Sequence, residues 1–373
     1  MDSRVAEREQ QIRDQYAADR ALPGDRILLL LTGEEVHDPR RQPQAWREAL
    51  QVVRGRAPLV RVLWSRTAPE RVVFTGCGST YYLSLAAAAT FQALTGIPAR
   101  GVPAGELVMY PEVSYGPDKT LLVAVSRSGE TSETLEAVRA FGRQERGQAM
   151  VVTNYPDSSL AQLGAVTLAI PAGQERSIAQ TRSFASMYVA TTALAALLAE
   201  RADLLSAMEG LPEVGERLVG AYEELARTTG ADLALERTYW LGSGPRYGLA
   251  CEASLKMKEM TLTHSEPFHF LEFRHGPKSM VGPTTLVVGL LSDRARAHEA
   301  AVLDEMRGLG ARVLSLGEQD ADVSFVSGLP EAVRNVLYLP ALQLLAYHRA
   351  IAKDLNPDKP TNLDAVVVLD WGS

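Results

Sequence analysis

Apolar and polar positions fall into a few distinct regimes along this chain. Residues 1–22 are polar and charged without a clear apolar face, and read as a helix lying on a neighbour or as a frayed arm. Over 44–65 apolar residues recur at helical spacing, which predicts an amphipathic helix packed on the segments C-terminal to it. Short β-rich runs then alternate with helical stretches. Strands are predicted at Arg71–Thr75, Leu121–Val125, Ala149–Thr153 and Val166–Ile170, and helices at Tyr81–Leu94, Glu133–Gln144 and, apolar on all sides, Ser183–Leu198. Strands alternating with helices of this length imply an α/β fold, a parallel sheet covered on both faces.

The pattern then repeats. RVVFTGCGSTY at Arg71 and RTYWLGSGPRY at Arg237 share Arg, two Gly and Tyr, each pair 166 residues apart (71/237, 76/242, 78/244, 81/247). Each copy is a strand, a G-x-G turn and a helix. Further strands come in the second copy at Leu286–Leu290 and Arg312–Ser315. The chain therefore reads as two copies of one doubly wound, flavodoxin-like unit. The predicted divisions are an N-terminal helical arm at 1–65, a first unit at 66–200, a helical linker at 201–235, a second unit at 236–355 and a tail at 356–373. Neither G-x-G turn completes G-x-G-x-x-G, and Pro245 opens the second helix, so a nucleotide site is weakly supported.

Composition narrows the function classes. With 46% hydrophobic residues the chain is expected to fold, and a net charge of −7 argues against general nucleic-acid or membrane-surface binding. An anionic ligand must then be held by local donors. Two cysteines, Cys77 and Cys251, give neither a disulfide framework nor zinc spacing. The leading apolar run, Ile27–Leu31, is too short for a signal or a membrane span, which points to the cytoplasm.

Candidate chemistry gathers where strands end. Ser79 and Thr80 come after the first strand, where free N–H groups favour an anion, although either residue also serves as a helix N-cap. Ser126, Arg127, Ser128 and Thr131 come after the next strand, with Gly129 allowing close backbone approach. Two hydroxyl clusters at one sheet edge exceed the need for caps and favour phosphate. Glu252, Lys256 and Glu259 share one helix face, which is either a solvated charged face or, if buried, a functional one. His264, His269 and His275 are spaced five and six residues apart, which fits no metal site. His275, in a His-Gly-Pro loop, is either an acid–base group or an ordinary surface histidine.

Taken in order, GCGSTYY, VSRSGETSET, TNYPDSSLA, ERSIAQTRSF, LGSGPRYGLACEASLKMKEM, FRHGPKSM, LPALQLLAYH and NPDKPTNL resemble the SIS (sugar isomerase) family over roughly 45–370. Within it they resemble the isomerase half of glucosamine-6-phosphate synthase and free-standing amino-sugar-phosphate deaminase/isomerases. The resemblance implies two tandem SIS domains. It implies that Ser126, Arg127, Ser128 and Thr131, with Ser79 and Thr80, bind a sugar phosphate. Glu259 would move the C1/C2 proton with Lys256 beside it, and His275 would assist ring opening in a neighbouring subunit's site. Gly78, Gln180, Thr181 and Lys359 would line the site, the protein would be a homodimer with shared sites, and no metal or organic cofactor would be needed. There are departures. No glutaminase segment precedes the pair in this sequence. Ala365, in Asn362-Leu363-Asp364-Ala365, stands where the synthase has a Schiff-base lysine, and Lys359 nearby is not an aligned substitute. Arg176 and Arg182 replace lysines, keeping charge but not geometry. The function implied is glutamine-independent isomerising deamination of a hexosamine 6-phosphate. The alternatives are a fructosamine-6-phosphate deglycase and a non-catalytic sugar-phosphate sensor.

Overall fold

The computed structural model describes residues 41–115, 119–144, 147–364 and 366–369. The predicted arm at 1–22, the Ile27–Leu31 run and Ala365 lie outside the described residues. The described chain opens with helix α1 (Arg41–Thr67), which absorbs the predicted 44–65 helix and runs through Pro58. The first half then runs β1 (Arg71–Gly76), α2 (Ser79–Thr95), β2 (Ala99–Pro103), β3 (Thr120–Ser126), α3 (Ser132–Arg143), β4 (Gly147–Thr153), β5 (Val166–Ala169) and α4 (Arg182–Leu198). A long helix, α5 (Leu211–Gly230), leads into the second half. It runs β6 (Arg237–Gly242), α6 (Pro245–Thr261), β7 (His264–Phe268), β8 (Thr285–Leu290), α7 (Arg296–Gly308), β9 (Arg312–Gly317), β10 (Val323–Ser324) and α8 (Leu339–Ala352).

Both sheets are wholly parallel, with orders β2-β1-β3-β4-β5 and β7-β6-β8-β9-β10. Within its own half each reads 2-1-3-4-5, the doubly wound order whose ligand crevice lies at the carboxyl ends of strands 1 and 3. The central strands are apolar and buried on both faces, as helix-covered parallel strands must be. Side chains alternate accordingly. Val72, Phe74 and Trp240 enter one core shared by the two halves, together with Trp46, Phe184 and Met257. Val73 and Leu122 face a separate cluster with Phe141, and Tyr239 and Val287 one with Phe273. Helix α4 is buried nearly all round, which explains its apolar sequence.

The repeat is conformational as well as sequential. Gly78 and Gly244 precede their helices at φ +55° and +58°, a conformation that a side chain resists. Pro245, which spoils the nucleotide fingerprint, occupies the first turn of α6, where its missing N–H costs nothing. The halves meet where α6 crosses α2. A Cβ on Gly248 would sit 2.5 Å from the Tyr82 carbonyl oxygen and 2.6 Å from the Ala86 nitrogen, so only glycine permits this approach. Strands β2, β7 and β10 were not predicted. Among the described residues no helix is long and apolar enough to cross a membrane.

Candidate active site

The α2–α6 crossing carries charged chemistry across the seam. Lys256, in the fourth turn of α6, is 2% exposed, and its ammonium donates to Ser79 Oγ at 3.0 Å. Ser79 opens α2 in the other half. Lys256 also hydrogen-bonds the Glu259 carboxylate and lies 3.1 Å from Glu252 Oε1. The face that sequence left open between solvated and buried is therefore mostly buried, with Glu259 12% exposed.

One ammonium faces two carboxyl groups, so the protonation of Glu252 sets the net charge of the group. Burial pushes the Glu252 carboxyl up from its ordinary 4.5 to about 7, Lys256 pulls it down, and Glu259 pushes it up again. Burial by itself would lower the Lys256 ammonium, but Glu252 and Glu259 outweigh it and hold it above its ordinary value. Lys256 thus stays charged. Glu252 is enclosed, and Glu259 is the carboxylate of the pair with access to the outside. A carboxylate oriented by a fixed ammonium is suited to take and return a carbon-bound proton.

Beside Ser79 lies the hydroxyl loop, because β1 and β3 are neighbours. Ser126, Arg127 and Ser128 are buried. Ser126 Oγ accepts the Gly129 N–H at 3.1 Å and Ser128 Oγ accepts the Glu130 N–H at 3.2 Å. Each hydroxyl is oriented by accepting, which leaves its own proton for a ligand. Gly129 stands at φ +68°, and a Cβ there would strike Ser158 Oγ at 2.1 Å. Thr131 caps α3 without spending its side chain on the cap. Cys77 Sγ, 3.6 Å from Thr134 Oγ1, ties the turn after β1 to α3.

Other predicted residues are placed differently. The Thr80 hydroxyl accepts the Cys77 N–H at 3.0 Å and donates to the Cys77 carbonyl at 2.9 Å, closing the turn around Gly78. Arg127 donates to the Ser177 and Ile178 carbonyls at 2.8 and 3.0 Å, and so fixes the 175–181 segment against the loop. Gln180 is half-buried, while Thr181 is buried with its hydroxyl donating to Glu175 at 2.6 Å. The tail reaches this neighbourhood: the Ile178 N–H donates to the Asp358 carbonyl at 3.0 Å, with exposed Lys359 next along the chain. Further on, the Ser132 hydroxyl donates to the Val367 carbonyl at 3.1 Å and accepts the Leu369 N–H at 2.7 Å. His275 is exposed, and among the described residues no hydrogen bond, ion pair or ring contact joins its imidazole to the Lys256 group. His269 instead stacks on Tyr247 at 3.9 Å between ring centres. Among the described residues no His, Cys, Asp or Glu cluster could hold a metal ion.

Sequence reasoning missed Glu175. Its buried carboxylate accepts the backbone N–H groups of Thr181, Arg182 and Ser183 and the hydroxyls of Thr181 and Ser183. It thereby caps the free donors and the positive end of α4. The only signal was an acidic residue seven positions before a long apolar helix. Glu252 was read as sharing a helix face with Lys256, with its burial left open.

Comparison with known proteins agrees with this architecture. The SIS domain model matches residues 67–197 and 235–323, one match per half. The glutamine–fructose-6-phosphate aminotransferase (isomerizing) of Methanothermobacter thermautotrophicus is 29% identical over 95% of the chain, and that of Aeropyrum pernix is 31% identical over 88%. The chain spans 60% and 56% of the lengths of these two relatives. Among solved structures, a glucosamine-6-phosphate deaminase from Thermotoga maritima is 27% identical with a TM-score of 0.70, covering 87% of this chain and 99% of that one. A tagatose-6-phosphate ketose/aldose isomerase from Escherichia coli shares the fold at 23% identity and TM-score 0.78, covering 91% of this chain and 97% of that one. With a family match in each half and both sheets in the same order, the chain belongs to the SIS domain family.

Proposed function

We propose that this chain is a sugar-phosphate aldose–ketose isomerase, and that its reaction is the deamination of a hexosamine 6-phosphate to the ketose 6-phosphate and ammonia. The observation that carries the reading is the Lys256–Ser79 hydrogen bond. It ties Lys256, and through it the Glu259 carboxylate, to the turn after β1, the strand beside that of the hydroxyl loop, so a sugar anchored on that loop by its phosphate would present its C1–C2 end to a base. Remote phosphate binding then positions the reacting carbons.

In this reading the ring is opened with help from His275. Glu259 removes the C2 proton, giving an enolamine, and returns the proton to C1. That leaves an imine at C2. Water adds to the imine carbon, and the amino nitrogen leaves as ammonia. Lys256 keeps Glu259 oriented and offsets the negative charge that develops on the sugar oxygen. The deaminase from Thermotoga maritima supports the amino-sugar substrate, and Ala365 in place of a Schiff-base lysine supports a route without a covalent tail adduct.

Ammonia release from glucosamine 6-phosphate and galactosamine 6-phosphate tests this directly, with Glu259→Gln as the control. Release from either, absent in the variant, is the expected result. Interconversion of hexose 6-phosphates without ammonia from either amino sugar would reduce the activity to plain isomerisation. Tight sugar-phosphate binding with no turnover of any kind would make the chain a sensor.

A further inference from the structure

The internal repeat raises the question of what became of the phosphate crevice in the second half. Arg246 lies 166 residues after Thr80 and Ser292 lies 166 after Ser126, the separation set by the G-x-G turns. The loops share one bond and differ in another: the Ser292 hydroxyl and N–H both donate to the buried Glu299 carboxylate, at 2.9 and 2.6 Å. Ser126 Oγ accepts the Gly129 N–H, and Ser292 Oγ accepts the Ala295 N–H at 2.9 Å, three residues on in both cases. Each serine lies at or just past the end of a strand that neighbours the strand of the G-x-G turn.

In the second half this crevice is filled. Glu331 Oε1 accepts the Asp293 N–H from the loop after β8 at 3.0 Å, and lies 2.9 Å from Arg246 Nη1 in the first turn of α6. One oxygen thus bridges the two elements between which, in the proposed function, a phosphate would sit in the first half. The Arg246 side chain is only 8% exposed; its Nη1 also donates to Asn335 Oδ1 at 3.2 Å, and its Nε has no hydrogen-bond partner among the described residues. A buried guanidinium with donor capacity to spare is an anion-recognition group. Glu331 itself comes from elsewhere, on the short Glu331–Arg334 helix, and keeps 28% exposure. Arg334 fastens that helix to Asp293.

We propose that the second half retains an anion cradle for a phosphate-type ligand, built from the Arg246 guanidinium and the Asp293 N–H, and that Glu331 is its built-in occupant. The proposal takes its ligand class from the phosphate reading of the first half, but the two fail separately. Inorganic phosphate binding would be measured by titration calorimetry on the full chain, on Glu331→Ala, on Glu331→Gln, and on Glu331→Ala combined with Arg246→Met. The expected result is one additional phosphate site per chain in Glu331→Ala, lost when Arg246→Met is added. The gain should persist when Ser126→Ala and Ser128→Ala weaken the first-half loop. Glu331→Gln keeps the shape of the plug and removes its charge; should the alanine variant not fold, the gain is read there. If the first-half reading is wrong, the parent chain binds no phosphate and the Glu331 variants still gain one site. An unchanged number of sites in variants that melt cooperatively overturns the cradle.

Discussion

At the scale of the residue, three charges on one helix face decide the chemistry. Glu259 differs from Glu252 only in access, since both meet Lys256. Glu259→Gln keeps size and hydrogen bonding but cannot take a proton. Turnover is expected to fall by roughly 10²- to 10⁴-fold, the usual worth of a general base, with sugar-phosphate affinity near normal. A variant retaining most of its turnover would remove Glu259 from the mechanism. Glu252 makes a different prediction, about stability. Its folded-state value is raised to about 7 from 4.5, so between those values the folded chain holds a proton that the unfolded chain has released. The contribution to stability is full below 4.5 and is lost as pH rises through 7. Relative to Glu252→Gln, the parent chain should lose on the order of 3 kcal/mol between about pH 4.5 and about pH 8. Urea titrations of both chains across that range measure it, and parallel curves would show that Lys256 fully compensates the buried carboxylate.

Elements hold those residues in register, and the α2–α6 crossing is the critical one. Gly248→Ala puts a methyl group against backbone atoms of α2 that cannot step aside. Overpacking of this kind costs roughly 1–3 kcal/mol. Because Lys256 reaches Ser79 across the same crossing, turnover should drop along with the melting temperature. Gly220→Ala, on the exposed side of α5 with open space around its Cβ, should leave both close to normal. Retained activity in Gly248→Ala would uncouple the crossing from the site. Element by element, the core strands were legible in the sequence because they are short, mostly apolar runs. Of the four edge strands only β5 was. β2 carries Pro103 and β7 carries Pro267, and both lie at sheet edges, where a strand tolerates proline and loses its apolar signature. The hydroxyl loop was legible because Ser, Gly and Thr crowd after a strand. The burial of Glu252 and the capping by Glu175 were not, since each depends on how the chain packs in three dimensions and not on local pattern.

For the whole molecule, the position of His275 bears on assembly. It is exposed, and nothing among the described residues links it to Glu259 within the chain. A ring-opening group must reach the sugar, so either the loop moves or another copy supplies it. We favour a second copy, in a homodimer whose sites each combine Glu259 of one chain with His275 of the other. Two-fold symmetry makes this testable by complementation. Glu259→Gln and His275→Ala should each be nearly inactive as homodimers. Mixed in equal amounts under exchanging conditions, about half the dimers are hybrids, each with one site carrying both intact groups. Activity should then recover to about one quarter of the parent value, with sedimentation confirming a dimer. If His275 acts within its own chain, every hybrid site carries one of the two substitutions, and the mixture should be as inactive as its components.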